Sequence, residues 1–452
     1  MIPYSMLAGY LGRQRWYAGT GAPGTLTVID RWAENGGSPG LARLLVDTGD
    51  AAYQLVLGVR PAAQRPDWLR GHDEAVVGEV EAAEVADLGL AGGADRFVVY
   101  DAVFDPELAA RMLVQAVPDE RASRVRVMGG EQSNTSLVFD ERLILKVFRR
   151  LFPGPNPEVE MTSALAAQGF DWVAAPLGTH ESGDFDLAIV QPFLIGGVDG
   201  WALALTSLRD LFGLHDTQQM PVLDAKAPPP PSDPAQAGGD FSAEARRLGE
   251  TTAAMHAAIA DSLGREPGNA AAWADDVDAD VRALHHSEVD ERRAAAIVAA
   301  LRDADPGVAL RVHGDFHLGQ VMRTDAGWYV LDFEGEPARP VEERRRRSSP
   351  LRDVAGMLRS FHYAASVACG ERDAASQDVG VAWEARNRRA FLEGYLPRAS
   401  DAGILPGDEA SVEALLDAFE LEKAAYELGY EKAYRPEWEA IPLQALRRLT
   451  RR

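Results

Sequence analysis

Apolar and polar positions change period along this chain, and the change divides it. Near the start, "ARLLVD" (42–47) and "AYQLVLGVR" (52–60) read as strands of a small sheet after a short helical opening, with Gly36, Gly37 and Pro61 as punctuation. "EAVVGEVEAAEVADLG" (74–89) carries a helical pattern, "RFVVYDAV" follows, and "DPELAARMLVQAV" (105–117) is a helix. From 124 strands return: "SRVRVM", then "LVFD" and "RLILKVF" as a hairpin turning at Asp140-Glu141. "NPEVEMTSALAAQG" predicts a helix with Asn156 as N-cap and Pro157 in its first turn, and "FDLAIVQPFLIGG" (185–197) a strand with a Gly-rich exit. The proline- and glycine-rich stretch 226–240 is a loop or disordered insert. Beyond it the spacing is helical, as in "SAEARRLGETTAAMHAAIA" with Ser242 as N-cap, and in two long amphipathic segments from Ser349 and Ser411. One β-hairpin interrupts this region. The order is a small α/β unit (1–90), a strand-rich lobe (91–192) and a helix-rich lobe (193–452) with a flexible insert at 215–240.

With 452 residues, two or three domains are the starting expectation. There are 46 Lys and Arg against 69 Asp and Glu, a formal charge of −23. That surface repels nucleic acid and anionic membranes and attracts cations, Mg²⁺ and protonated amines among them. A single cysteine, Cys369, excludes an intrachain disulfide and a thiolate metal cluster. No basic, apolar leader opens the chain and no apolar run reaches membrane-spanning length, so the expectation is a cytoplasmic protein without nucleic-acid or membrane partners.

The interrupting hairpin carries the chemistry. In "RVHGDFHLGQVMRTDAGWYVLDFEGEP" (311–337), Asp315 and Gln320 lie five apart on a loop entering a strand, and Asp332 ends the returning strand. A loop carboxylate can accept a proton while an amide and a second carboxylate hold Mg²⁺ through hard oxygens, the arrangement phosphoryl transfer needs. Either aspartate alone would fit a structural cap, but the whole pattern favours catalysis.

That segment resembles the catalytic loop and metal motif of the aminoglycoside phosphotransferase group. The resemblance implies an α+β, bilobal protein-kinase-like fold, with Asp315 as base, Gln320 and Asp332 as Mg²⁺ ligands, and Glu334 as a further ligand or orienter. It makes His313 architectural. Upstream, "GGEQSNTSLVFDERLILKVF" is similar to a phosphate-covering hairpin followed by the strand bearing the ATP-binding lysine, here Lys146. Ser133, Asn134, Thr135 and Ser136 would then offer hydroxyls and backbone N–H groups to phosphate. Glu160 is favoured over Glu158 as the partner of Lys146, and Gln191 and Phe193 would present backbone to adenine.

Longer phrases narrow the resemblance to actinobacterial maltokinases and the glucosamine kinases grouped with them: "RQRWYAG", "LILKVFRRL", "HLGQVMR", "DFEGEP", "SPLRDVAGMLRSFHYAA" and "YELGYEKAYRPEWEAIPL", in order from Arg13 to about Leu446. An N-terminal α/β cap domain over residues 1–90 follows from it, as do ATP and Mg²⁺ as cofactors and a small sugar as acceptor. A monomer or weak homodimer is expected.

The acceptor side is read from the end of the chain. Glu420, Lys423, Glu427 and Glu431 share one helical face, Tyr426, Tyr430 and Tyr434 another, and Trp438 can stack on a pyranose. The tyrosine line reads first as core packing. Glu437 and Glu439 flank Trp438 where maltokinases carry uncharged residues, which favours a cationic sugar. Glucosamine phosphorylated at O6 is therefore preferred, with maltose phosphorylated at O1 and an aminoglycoside as alternatives. His317, Glu420, Lys423, Tyr426, Glu427, Trp438 and Glu439 are the acceptor candidates. The basic run at 342–349 is either a solvated loop or a phosphate contact.

Overall fold

The computed structural model describes residues 2–34, 38–86, 94–129, 133–219, 240–284, 286, 289–337, 339–370, 372 and 374–451. Gly36 and Gly37, the end of the helix expected at 74–89, residues 130–132 of the phosphate hairpin and most of the 215–240 insert lie outside the described residues. The chain forms two compact units, Met1–Ser163 with Ala174–Ile195, and Ala164–Val173 with Gly196–Arg452.

The first unit runs α1 (Tyr4–Leu11), β1 (Thr27–Ala33), β2 (Gly40–Asp47), β3 (Ala52–Pro61), β4 (Val76–Glu81), α2 (Ala82–Val85), β5 (Arg96–Asp101), α3 (Pro106–Ala116), β6 (Val125–Val127), β7 (Asn134–Phe139), β8 (Leu143–Phe148), β9 (Arg150–Leu151), α4 (Pro157–Ala167, which ends in the second unit), β10 (Gly178–Ser182) and β11 (Phe185–Pro192). One sheet has the order β1-β2-β3-β5-β4 with β9 beside β3, and the other β10-β11-β8-β7-β6.

The helix expected at 74–89 is strand over 76–81. Val77 and Val80 are buried, and β4 pairs antiparallel with β5, matching Val80 to Phe97 and Glu79 to Val98. β-branched residues beside an open sheet edge outweigh helical spacing here. Among the described residues of this segment, α-helix is kept in α2, where Glu81 and Glu84 form a capping box. The same pairing carries the cap sheet past residue 90, the boundary expected from the sequence.

β3 explains why its segment reads as a continuous apolar run. Leu55, Leu57 and Val59 enter one buried cluster, and Val56 enters another on the opposite face. The second cluster includes Tyr100, Leu108 and Met112 as well as Leu145 and Val190, so cap sheet and kinase-like sheet share a core. Polar bonds join them too. Gln54 Nε2 donates to the carbonyls of Phe148 (2.8 Å) and Leu187 (2.9 Å). Arg149 pairs with Asp101 at 2.7 Å, Tyr10 Oη donates to the same Asp101 oxygen at 2.6 Å, and the guanidinium carbon lies 5.0 Å from the Trp16 ring centre.

The second unit runs β12 (Val198–Asp199), α5 (Gly200–Gln219), α6 (Ser242–Leu263), β13 (Glu266–Pro267), α7 (Ala270–Ala283), α8 (Glu291–Asp303), β14 (Val308–Arg311), β15 (Val321–Arg323), β16 (Trp328–Val330), α9 (Val341–Arg344), β17 (Arg347–Ser348), α10 (Leu351–Cys369), α11 (Ala374–Asp401), α12 (Glu409–Tyr434) and α13 (Ala440–Arg451). The expected hairpin is β15–β16, which β12 joins as a third strand, and β13-β14-β17 forms a further three-stranded sheet. Ser242 is the first residue of α6 rather than its cap. Its N–H and hydroxyl both donate to Asp240, two residues upstream. Among the described residues no helix is long and apolar enough to cross a membrane.

The side chains of Arg149 and Asp101 are 1% and 2% exposed. Asp101→Ala would leave a buried guanidinium uncompensated and is expected to cost about 3–5 kcal/mol in chemical denaturation. Arg126→Ala, which removes the exposed pair with Glu141, is expected to leave the unfolding midpoint nearly unchanged in the same assay.

Candidate active site

In the first unit, β7 and β8 form a tight hairpin. Asp140 and Glu141 both take positive φ, 50° and 53°, and Asp140 accepts the backbone N–H groups of Ser123 and Arg124. Lys146 projects from β8, and its Nζ lies 2.5 Å from Glu158 Oε2. The sequence favoured Glu160, and the structure reverses that preference. Asn156 caps α4 by accepting the Glu158 N–H at 2.8 Å, and this first turn buries Glu158.

Ser133 is exposed and Asn134 buried, with Asn134 Nδ2 3.2 Å from Ser133 Oγ. Thr135 Oγ1 accepts from Arg149 Nε at 2.9 Å, so it serves the junction with the cap sheet, and Ser136 is fully buried. Thr135 keeps partial exposure, whereas Ser136 does not. Gln191 gives its side-chain amide to the Ala174 carbonyl at 2.7 Å. The Phe193 N–H closes the sheet against the Arg142 carbonyl at 2.9 Å.

The second unit holds the catalytic segment. Its anchor is a residue the sequence reading missed. Asp353, in the first turn of α10, accepts the backbone N–H of His313 (2.8 Å) and of Gly314 (2.9 Å), and His256 Nε2 lies 3.0 Å from the same carboxylate. His313 is architectural as expected: Nε2 is 2.8 Å from the Leu331 carbonyl, and its ring packs between Phe316 and Phe333. Gly314 turns the loop at φ 82°, a conformation that favours glycine. A short 3-10 turn, Leu318–Gln320, then delivers Gln320, whose Nε2 is 3.2 Å from Asp332 Oδ2. Asp332 itself sits at φ 60°, a strained position for a non-glycine residue and one that occurs often at functional sites. The loop amide and the strand-end carboxylate therefore meet, as their spacing required.

Asp315 is held by a cation from α12. Lys423 Nζ, from α12, is 3.0 Å from Asp315 Oδ1 and 2.6 Å from Glu336 Oε1. Burial alone would raise the Asp315 pKa, but the Lys423 ammonium, with His317, overrides it and brings the carboxyl down to about 2. Burial lowers the His317 pKa, which keeps the ring neutral. Its Nδ1 accepts the Gly319 N–H, so Nε2 carries the proton, 3.8 Å from Asp315 Oδ2. Glu336, the second missed residue, is buried and also accepts from Arg339 Nε at 2.6 Å. Glu334 stands at the end of the same segment, where its carbonyl accepts from Arg344 Nη1 at 2.9 Å.

The acceptor candidates separate. Lys423 and Glu427 stay near the catalytic loop. Glu427 Oε2 takes both Arg359 Nε (3.0 Å) and Nη2 (2.6 Å), while Oε1 has no hydrogen bond among the described residues. Burial raises the Glu427 pKa, partly opposed by Arg359 and Lys423. Tyr426 lies under the Lys423 ammonium, 5.1 Å from ring centre to Nζ. Glu420 is withdrawn: it is 2% exposed and bound by both arms of Arg388 at 2.8 and 2.6 Å, since its position on α12 faces α11. Trp438 is half-buried against Tyr363 and Arg435. Glu439 sits 3.6 Å from Lys432, and Glu437 is exposed, so the acid added around Trp438 is partly neutralised by a surface lysine. The tyrosine line is a surface stack rather than core, ending at Tyr434 with 70% exposure.

Comparison with known proteins identifies the family and the fold. Residues 10–105 match the maltokinase N-terminal cap domain, and residues 124–391 match the phosphotransferase enzyme family. A glucosamine kinase of Streptacidiphilus jiangxiensis is 29% identical over 88% of this chain and 95% of its own. A glucosamine kinase of Mycolicibacterium smegmatis is 28% identical over 70% and 77%. A solved glucosamine kinase, in complex with glucosamine, ADP and inorganic phosphate, superposes with a TM-score of 0.66 at 24% identity, covering 99% of this chain and 100% of that one. The fold is thus protein-kinase-like with an N-terminal cap, and the chain belongs to the phosphotransferase enzyme family.

Proposed function

We propose that this chain is an ATP- and Mg²⁺-dependent sugar kinase whose acceptor is glucosamine, yielding glucosamine 6-phosphate and ADP. The observation that carries the reading is the ionised Asp315, fixed by Lys423 beside the joined Gln320 and Asp332 side chains. Two glucosamine kinases among its relatives, one of them matched over 95% of its own length, support the choice of acceptor.

Asp315 orients the attacking hydroxyl and receives its proton. His317, neutral and with its proton on Nε2, can donate to an acceptor oxygen beside that carboxylate. The donor set of Gln320 and Asp332 is hard oxygen throughout, an amide carbonyl and a carboxylate, and it fits Mg²⁺, with Glu334 as an additional carboxylate. When bound, the ion would neutralise charge developing on the phosphates. Lys146, held by Glu158, would position the α- and β-phosphates, with exposed Ser133 and the carbonyl of Phe193 as further nucleotide contacts. For the acceptor amine we assign Glu427, whose Oε2 is held by Arg359 and whose Oε1 has no hydrogen bond among the described residues. Trp438 would stack on the ring. The acceptor is a small molecule.

In a coupled ADP-release assay, kcat/KM for glucosamine is expected to exceed that for maltose by roughly 10- to 150-fold, the worth of one charge-assisted hydrogen bond of about 1.5–3 kcal/mol. Equal rates on both sugars would reject the acceptor. Asp315→Asn is expected to lower kcat by about 10²–10⁴-fold with a smaller change in KM; near-full turnover would remove the base from the mechanism. The third expectation concerns pH. Asp315 has its pKa depressed in the folded protein, so the base stays ionised down to about pH 2 and sets no acid limb near neutrality. Lys423→Met removes the cation that lowers it, and the acid limb of kcat/KM should move up by about 1–3 pH units. An unmoved profile would show that Lys423 does not govern the base.

A further inference from the structure

The basic run at 342–349 has no part in the reaction so far. Three of its arginines, Arg344, Arg346 and Arg347, line a cavity of about 770 Å³ in the second unit. Facing them, α7 contributes Asp276 and Asp280, and α12 contributes Glu422 and Lys423. Nearly every charged side chain in the wall has a partner. Arg347 binds the carbonyls of Leu263 and Gly264 and pairs with Glu266. Arg339 serves Glu336, Asp280, Glu343 and Glu422, and Arg352 also holds Glu422. Arg344 donates to the Glu334 carbonyl, and Asp353 holds the catalytic loop. Two charged lining residues have no side-chain hydrogen bond or ion pair among the described residues: Arg346 on the basic segment and Asp276 on the acidic helix. They carry opposite charges, and both are exposed.

We propose that this cavity is a second ligand site for a small dipolar molecule, an amino sugar phosphate, with its phosphate on Arg346 and its ammonium on Asp276. The volume is ample for a hexosamine phosphate. This inference rests on the acceptor reading above, because the ligand is then the enzyme's own product. The site connects to the chemistry through named contacts. Gly314, Glu336 and Lys423 are in the cavity wall, whereas Asp315 is not. Glu336 and Asp315 grip the same ammonium, at 2.6 and 3.0 Å. A cation or anion entering the cavity alters the field on Glu336 and so redistributes Lys423 between the two carboxylates. Product bound there slows turnover without occupying the acceptor's place.

The test is calorimetric titration of the full chain with glucosamine 6-phosphate, without nucleotide, alongside Arg346→Ala and Asp276→Asn. Each variant is expected to weaken binding by tenfold or more and to leave initial kcat unchanged. Glucose 6-phosphate, which lacks the ammonium, should respond to Arg346→Ala but not to Asp276→Asn. Inhibition by glucosamine 6-phosphate should be non-competitive with the acceptor, and either variant should relieve it. Absent binding, affinity blind to both substitutions, or purely competitive inhibition would overturn the site. The titration requires no turnover, so the two readings fail separately. Variant-sensitive binding in a chain that phosphorylates another sugar sinks the acceptor and keeps the site; glucosamine turnover with variant-blind binding does the reverse.

Discussion

The catalytic segment of the second unit depends on one buried carboxylate. Asp353 uses both oxygens at once, against two consecutive backbone N–H groups of the catalytic loop and against His256. Burial by itself would raise its pKa; the His256 bond and the backbone donors bring it below the ordinary range. His256 is in turn held by the Tyr395 hydroxyl, 2.9 Å from Nδ1. So α6, α10 and α11 fix the backbone at His313–Gly314, and that backbone aims Asp315. Losing the carboxylate would orphan two buried amides, the costly half of any hydrogen bond. Catalytic precision here comes from the helical core rather than from the loop's own conformational preference.

The same logic explains how a chain of net charge −23 tolerates ionic groups inside its second unit. Along α12, Lys423, Glu427 and Glu431 follow one another at four-residue spacing, and each meets a different partner: Asp315 with Glu336, Arg359, and Arg435 with Tyr363. Glu420 and Glu422 on that helix answer Arg388 and Arg352. One helix thus supplies ion pairs in several directions, and its sequence position does not reveal which pair borders the acceptor. That depends on which neighbouring helix each side chain faces.

This marks the line between what the sequence discloses and what it withholds. The β7–β8 hairpin, the Asn156 cap and the Gln320–Asp332 meeting were readable because each rests on contacts close along the chain. The strand at β4 was misread because its partner β5 lies some twenty residues on, and pairing outweighed local helical spacing. Glu158 displaced Glu160 because the rotation of α4 about its cap decides which acid faces β8. Asp353 and Glu336 were missed for a related reason. Asp353 lies 38 residues from the aspartate it supports, and its one visible signal is an acid at a core-facing position of an amphipathic helix. Glu336 sat inside a quoted phrase, but only Lys423, 87 residues away, gives it a role.

The low basicity of Asp315 bears on how the proposed transfer proceeds. A carboxylate with a pKa near 2 is a poor proton acceptor for a sugar hydroxyl in the ground state. Phosphoryl transfer through a loose transition state asks little of a base early on, because the hydroxyl proton becomes acidic only as its oxygen bonds to phosphorus. A permanently ionised carboxylate is then better suited to orienting the hydroxyl by accepting its hydrogen bond than a carboxyl tuned toward neutrality would be. Lys423 secures that state, and its second grip on Glu336 prevents the ammonium from collapsing fully onto the base. The two carboxylates sharing one cation thus reconcile a dependable charge with an oxygen left for the acceptor, since Lys423 engages Asp315 through Oδ1 alone.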